Sequence, residues 1–166
     1  GLHSCGFFKT GFKCWGDQTS GKLGNGITTA ANILSPVLVS TLGGKTVKKF
    51  NVGDFHSCAL FTDGVLKCWG LNSSGQLGDG TTSTSASGVS PNVGGSVTEF
   101  SCADNSSCAI NSNKELRCWG VISSSSPTLI ASNAVFIGSS DSDAGTPDFF
   151  CFINTNQNAF CFGVNA

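Results

Sequence analysis

His56-Ser57-Cys58-Ala59-Leu60-Phe61-Thr62-Asp63-Gly64-Val65-Leu66-Lys67-Cys68-Trp69-Gly70 holds two strand-like runs around one turn. Thr62-Asp63-Gly64 reads as a three-residue hairpin loop with glycine where the backbone turns left-handed. If Phe61 faces Val65, Cys58 stands directly opposite Cys68. At a non-hydrogen-bonded position their Cα atoms would lie about 4.5 Å apart, near the short end of disulfide geometry. The hairpin then carries its own staple, and Val47-Lys48-Lys49-Phe50-Asn51-Val52-Gly53 ahead of it supplies a third strand-like run.

The pattern recurs. His-Ser-Cys at 56–58 also stands at 3–5, and Cys-Trp-Gly stands at 14–16, 68–70 and 118–120. A degenerate fourth copy follows at Cys151 and Cys161, with Phe162 where Trp15, Trp69 and Trp119 stand. Successive first cysteines are 53, 50 and 43 residues apart, the range of propeller blades and solenoid units. The repeats run approximately 1–45, 46–95, 96–134 and 135–166 within a single repeat domain, and the cysteine pairs are Cys5/Cys14, Cys58/Cys68, Cys108/Cys118 and Cys151/Cys161. In the first copy the spacing is one residue shorter, so Cys5 and Cys14 need a two-residue loop or a shifted register. Zinc is the competing reading of paired cysteines, but ligand pairs in zinc knuckles are separated by two to four residues.

Composition agrees with an all-β chain of short strands. Of 166 residues, 22 are Gly and 13 are Phe, and the hydrophobic fraction of 39% is enough for a core. Only 11% of residues are charged and the net charge is −1, so the chain has no basic field for nucleic acid or an anionic membrane surface. No run of 18 or more apolar residues is present, and membrane insertion is not expected. Nine cysteines in this pattern indicate disulfides and an oxidising, extracellular location, secreted or at the cell surface. The first residues lack the regions of a signal peptide, so the chain reads as mature or cut from something longer.

The run from His56 to Gly70, followed by Asn72, Gly75-Gln76-Leu77-Gly78 and Gly80-Thr81-Thr82, resembles the regulator of chromosome condensation repeat. The first copy carries the same element as Gly21-Lys22-Leu23-Gly24 and Gly26, and both copies then reach a proline, Pro36 and Pro91. The resemblance implies a β-propeller, usually of seven blades, of which this chain would hold about three and a half to four. The third copy departs from the pattern, passing from Trp119-Gly120 into a Ser-rich stretch without Gly-Gln-Leu-Gly. The fourth carries an insertion from Ser139 to Asp148.

His3 and His56 hold the same repeat position, as a recurring packing role does and a single catalytic base does not. The acids Asp54, Asp63, Asp79, Glu99, Asp104 and Glu115 are expected in turns or at strand edges, and no nucleophile with a base or paired carboxylates emerges. Asp141-Ser142-Asp143-Ala144-Gly145 has a faint calcium-loop look but lacks the third ligand and closing Glu of an EF-hand, and is taken as a solvated loop. Trp15, Trp69, Trp119 and Phe162 are expected to pack between blades. Cys102 aligns with Val52 and reads as a small buried apolar residue, with an intermolecular bridge as the alternative. Asn72 and Asn105 head glycosylation sequons.

The expectation is a non-enzymatic extracellular scaffold without cofactor or metal. Its unfinished edges would join copies of itself into a ring or filament. The alternative is a secreted recognition or inhibitor module, binding a protein or glycan through loops 17–46 and 71–96. Guanine-nucleotide exchange, which the resemblance brings to mind, sits poorly with a disulfide-rich chain.

Overall fold

The computed structural model describes residues 2–140 and 148–164. Residues 141–147, including the Asp141–Gly145 stretch, lie outside the described residues, as does most of the insertion. Among the described residues fourteen strands fall into four antiparallel sheets in chain order, the arrangement of propeller blades. The first sheet holds β1 (His3–Phe8), β2 (Gly11–Asp17) and β3 (Asn32–Leu38). The second holds β4 (Val47–Val52), β5 (His56–Phe61), β6 (Leu66–Gly70) and β7 (Ser85–Val89). The third repeats this with β8 (Val97–Cys102), β9 (Ser106–Asn111), β10 (Leu116–Gly120) and β11 (Thr128–Ala131), and the fourth has β12 (Ala134–Ser139), β13 (Phe149–Asn154) and β14 (Ala159–Gly163). Among the described residues the first sheet has no counterpart of β4, and the fourth has none of β7.

Each cysteine-bearing hairpin is in the register that sets its two cysteines face to face. Cys58 pairs with Cys68, Cys108 with Cys118 and Cys151 with Cys161. The first hairpin turns through the two residues Lys9 and Thr10, with Phe8 opposite Gly11, which places Cys5 opposite Cys14 without a shift. All four pairs are disulfides with Cα separations of 4.0–4.1 Å. At the turns, Gly64 is left-handed at φ 81°, while Lys114 and Gln157 hold the same position at φ 63° and 64°. Side chains are unfavourable in that region, so these two turns rest on the hairpins around them.

The core is divided between neighbouring sheets rather than pooled. Alternating residues of a strand face opposite sides. Thus Cys58 and Leu60 pack toward the third sheet with Phe100, Cys102, Ala109 and Trp119, while Ala59, Phe61 and Trp69 pack toward the first with Phe12, Cys14 and Leu23. A third cluster joins Cys108, Ile110, Leu116 and Cys118 to Ala134, Ile137, Phe150 and Phe152. The leading strands β4, β8 and β12 line a cavity of about 430 Å³, bounded by His3, Asn51, Asp54, Cys102, Asp104 and Ser139 among others.

Candidate interaction edge

The same polar joint is built twice between successive sheets. Between the second and third, the Gln76 carbonyl accepts the Trp119 indole N–H at 2.8 Å and the Ser107 hydroxyl at 3.1 Å. Ser107 Oγ lies 2.8 Å from His56 Nε2. Between the first and second, the Lys22 carbonyl accepts from Trp69 at 2.9 Å and from Ser57 at 2.9 Å, and Ser57 Oγ lies 2.8 Å from His3 Nε2. Because each serine spends its one proton on the carbonyl, the histidine must donate through Nε2, which fixes the neutral tautomer. Burial pushes both histidines down from 6.5 to about 4.

The Gly-x-Leu-Gly segment is shaped for this contact. Its last glycine is left-handed, at φ 66° for Gly24 and 74° for Gly78. A Cβ there would stand 2.7 Å from the indole Nε1 of Trp69 or Trp119. Its leucine, Leu23 or Leu77, is fully buried. The Asn72 amide holds the second segment in place, accepting from the Leu77 N–H at 2.9 Å and donating to Asp79 and Thr81. Gln18, its equivalent in the first repeat, is buried and bonded to Asn25 and Thr29.

The joint between the third and fourth sheets contains none of this. Ser106 replaces the histidine, the Gly-x-Leu-Gly segment is missing, and Phe150 and Phe162 replace serine and tryptophan. The rings of Phe150 and Phe162 stack at 6.0 Å, and those of Phe152 and Phe160 at 5.2 Å. Across these three joints tryptophan and its carbonyl acceptor are therefore present together or absent together. Trp69 and Trp119 pack between sheets, and Phe162 lies against the third sheet while its ring also stacks on Phe150 of its own.

Trp15 is the exception to the pairing. It is half-buried where Trp69 and Trp119 are fully buried, and Ser4, the counterpart of Ser57 and Ser107, is exposed. The ring meets Phe8 edge-on at 6.1 Å, and Gly6 leaves room beside it, its missing Cβ 3.6 Å from the indole. No Gly-x-Leu-Gly segment lies against this face among the described residues. At the other end, Ile153, Phe149 and Phe160 are exposed on the fourth sheet, as is Cys161.

The remaining expected sites lie elsewhere. Cys102 is buried and its thiol is pushed up to about 12 by burial, the nearby Ser107 hydroxyl working in the opposite direction. It packs as an apolar residue, and a bridge to another chain is closed to it in the folded state. His56, Cys58 and Cys102 bring ligand atoms within 4.8 Å of one another, but Cys58 is bonded to Cys68 and has no thiolate to give. Asn72 is fully buried with its amide engaged, so the folded protein has no room for a sugar there and the glycosylation expectation at Asn72 is corrected. Asn105 is half-buried, and its Oδ1 lies 3.4 Å from Gln76 Nε2. The two-repeat joint was missed at the level of sequence because its acceptor is a backbone carbonyl. The signal that could have exposed it is the co-occurrence of Trp with an upstream Gly-x-Leu-Gly.

Residues 14–60 and 47–76 match the regulator of chromosome condensation (RCC1) repeat. The ultraviolet-B receptor UVR8 of Arabidopsis thaliana is 32% identical over 85 residues, covering 50% of this chain and 19% of the receptor. Among solved structures, human WBSCR16 superposes with a TM-score of 0.77 at 19% identity, covering 97% of this chain and 45% of that one. Prp20p of Saccharomyces cerevisiae does so with 0.74 at 22%, covering 92% and 41%. This chain thus spans about a fifth of the receptor and less than half of either structure.

Proposed function

Because this chain carries regulator of chromosome condensation repeats on a propeller framework, we propose that it is a non-enzymatic protein-interaction scaffold of the extracellular space that joins other protein chains through its end sheets. The propeller framework carries the reading: its four antiparallel sheets superpose on Prp20p with a TM-score of 0.74. Four disulfides support an oxidising location. Yeast Prp20p, which shares the fold, is described by its binding to Gsp1p and histones, and we assign a protein as the class of partner. Where the joined chains are copies of this one, a ring or filament results.

A second reading is recognition at the rim. Between the second and third repeats a polar cleft of about 410 Å³ is bounded by Asp79, Ser90, Asn92, Arg117 and Ser126, and it would take a polar segment or a glycan.

Chemical cross-linking of non-reduced native material followed by peptide mapping separates the two. Cross-links from residues 3–17 or 149–163 to another chain are expected. Cross-links confined to residues 71–96 and 117–127 would overturn edge association in favour of the rim.

A further inference from the structure

We propose that Asn25-Gly26 is a self-modification site, at which the folded chain converts Asn25 to aspartate and isoaspartate through a succinimide. The chemistry is independent of how the chain meets its partners.

Any asparagine followed by glycine can react in this way. The backbone nitrogen of the glycine loses its proton to water or hydroxide and attacks the side-chain amide carbon. A new C–N bond forms, the bond to the side-chain nitrogen breaks, and ammonia leaves. Water then opens the ring. Breaking the new bond yields aspartate, and breaking the original peptide bond yields isoaspartate, with the main chain rerouted through the side chain. Water is consumed and ammonia released, with no oxidant or cofactor. Glycine favours the attack because no Cβ stands beside the nitrogen.

The structure separates the sites of this kind. The sequence holds Asn25-Gly26, Asp63-Gly64 and Asp79-Gly80, and an aspartate can close the same ring with loss of water. The Gly64 N–H donates to the Phe61 carbonyl at 3.0 Å, and the Gly80 N–H to the Ser125 carbonyl at 2.9 Å. Gly26 fills the place of Gly80 in the first repeat, and among the described residues its N–H has no acceptor. The attacking nitrogen is therefore held at two sites and open at the third.

Asn25 is already folded toward that nitrogen. Its Oδ1 accepts from the Ile27 N–H at 3.2 Å, closing a turn whose ring of atoms runs through the Gly26 nitrogen. Gly26 is exposed, and nothing lies within 4 Å of where its Cβ would stand. Water and hydroxide reach the peptide, and the ring has room to close.

The reaction reaches the segment that caps Trp69. Asn25 Nδ2 donates to Gln18 Oε1 at 2.9 Å, and Gln18 donates to the Thr29 carbonyl at 3.3 Å. Either product removes the Asn25 donor. Aspartate is what the second repeat already carries there, where the Asn72 amide donates to Asp79 at 3.2 Å, so Gln18 can turn its amide to meet it. Isoaspartate instead lengthens the main chain beside Gly24, which lies close against the Trp69 indole.

The test incubates the native, non-reduced chain in heavy-oxygen water at mildly alkaline pH, followed by peptide mapping and isoelectric focusing. Asn25 is expected to convert to both products, each carrying heavy oxygen and adding a negative charge to a chain of net charge −1. Asn72, Asn105 and Asn111, each followed by serine, should keep their amides. Gly26→Ala should arrest the reaction. Asp79→Asn places the same dipeptide where the N–H is bonded. That position should convert at least about tenfold more slowly than Asn25 in the folded chain, and at the same rate once the chain is unfolded. Equal rates at the two positions in the folded variant, or an Asn25 that converts only after unfolding, would overturn the proposal. If Asp79→Asn fails to fold, hydrogen exchange of the unmodified chain decides. The Gly26 N–H should exchange at least about tenfold faster than that of Gly80, and equal protection would overturn the proposal.

Discussion

Trp69 donates its indole N–H to the carbonyl of Lys22, 2.9 Å away and 47 residues earlier in the chain. This hydrogen bond helps fasten two sheets across a buried joint, where an unmade bond costs about 1–3 kcal/mol. Trp69→Phe removes the donor and part of the ring, and is expected to lower the free energy of unfolding by roughly 2–4 kcal/mol. Trp15→Phe should cost less, because the half-buried indole gives up no carbonyl acceptor among the described residues. Guanidinium unfolding of the two variants under non-reducing conditions checks the contrast. Equal losses would mean that Trp15 is already engaged within the chain.

Gly24→Ala should be as damaging as the tryptophan change, because the new methyl would stand 2.7 Å from Trp69 Nε1 at a left-handed φ of 66°. Gly26→Ala is the control, since φ is 83° there but nothing lies within 4 Å. Its cost should be limited to backbone strain of about 1 kcal/mol. Thermal unfolding of both variants tests whether the close approach, rather than the backbone conformation alone, demands glycine.

The two histidines make stability depend on pH. Burial, the largest influence on each, lowers both from 6.5 to about 4, so between these values the unfolded chain binds more protons than the folded one. Stability is then full above about pH 6.5, falls as the pH drops toward 4, and levels off below it. Each histidine accounts for a loss on the order of 3 kcal/mol. His56→Gln keeps a donor for Ser107 but cannot titrate, and should remove about half of the slope. Denaturation midpoints between pH 4 and 7.5 give the answer, and an unchanged slope in the variant would show that other groups carry it.

The hairpins were legible because their determinants are local. The Thr62-Asp63-Gly64 turn sets the register, and the register sets the disulfide. Reading the first hairpin stopped at two options, and the structure chose the two-residue turn at Lys9 and Thr10. The inter-sheet joint was not legible, because neither a backbone carbonyl nor the shared hydroxyl of Ser57 leaves a mark in composition. Asn72 misled for the opposite reason. A tripeptide pattern is blind to burial, and the same asparagine that heads a sequon is consumed in holding Leu77 and Thr81. Cys102 was legible as an apolar residue from its alignment with Val52, since the two hold equivalent places on β8 and β4 and line the same cavity.

Asn72 should accordingly carry no sugar when the chain is secreted from a eukaryotic cell, and intact mass with peptide mapping reads this directly. Asn72→Ala is expected to cost roughly 1–3 kcal/mol by leaving the Leu77 N–H and Thr81 carbonyl without their partner. A glycan found on Asn72 in folded protein would show that the segment opens.

The disulfides should differ in access to reductant. Cys161 is exposed, whereas Cys58, Cys68, Cys108 and Cys118 have no exposed surface. Exchange requires a thiolate to reach sulfur, so access orders the rates. A mild reductant applied to the native chain should open Cys151–Cys161 first, leaving the two central bridges intact until the sheets unfold. Cys102 should stay unalkylated throughout that first phase, because burial pushes its thiol to about 12 and leaves almost no thiolate at neutral pH. Each bridge closes a loop of about ten residues and stabilises by roughly 2–4 kcal/mol through the unfolded state. Loss of Cys151–Cys161 should therefore loosen the fourth sheet while the first three keep their amide protection. Timed quenching with an alkylating agent and mass mapping of the labelled cysteines decides the order. Early labelling of Cys58 or Cys68 would mean that the second and third sheets part before the fourth gives way.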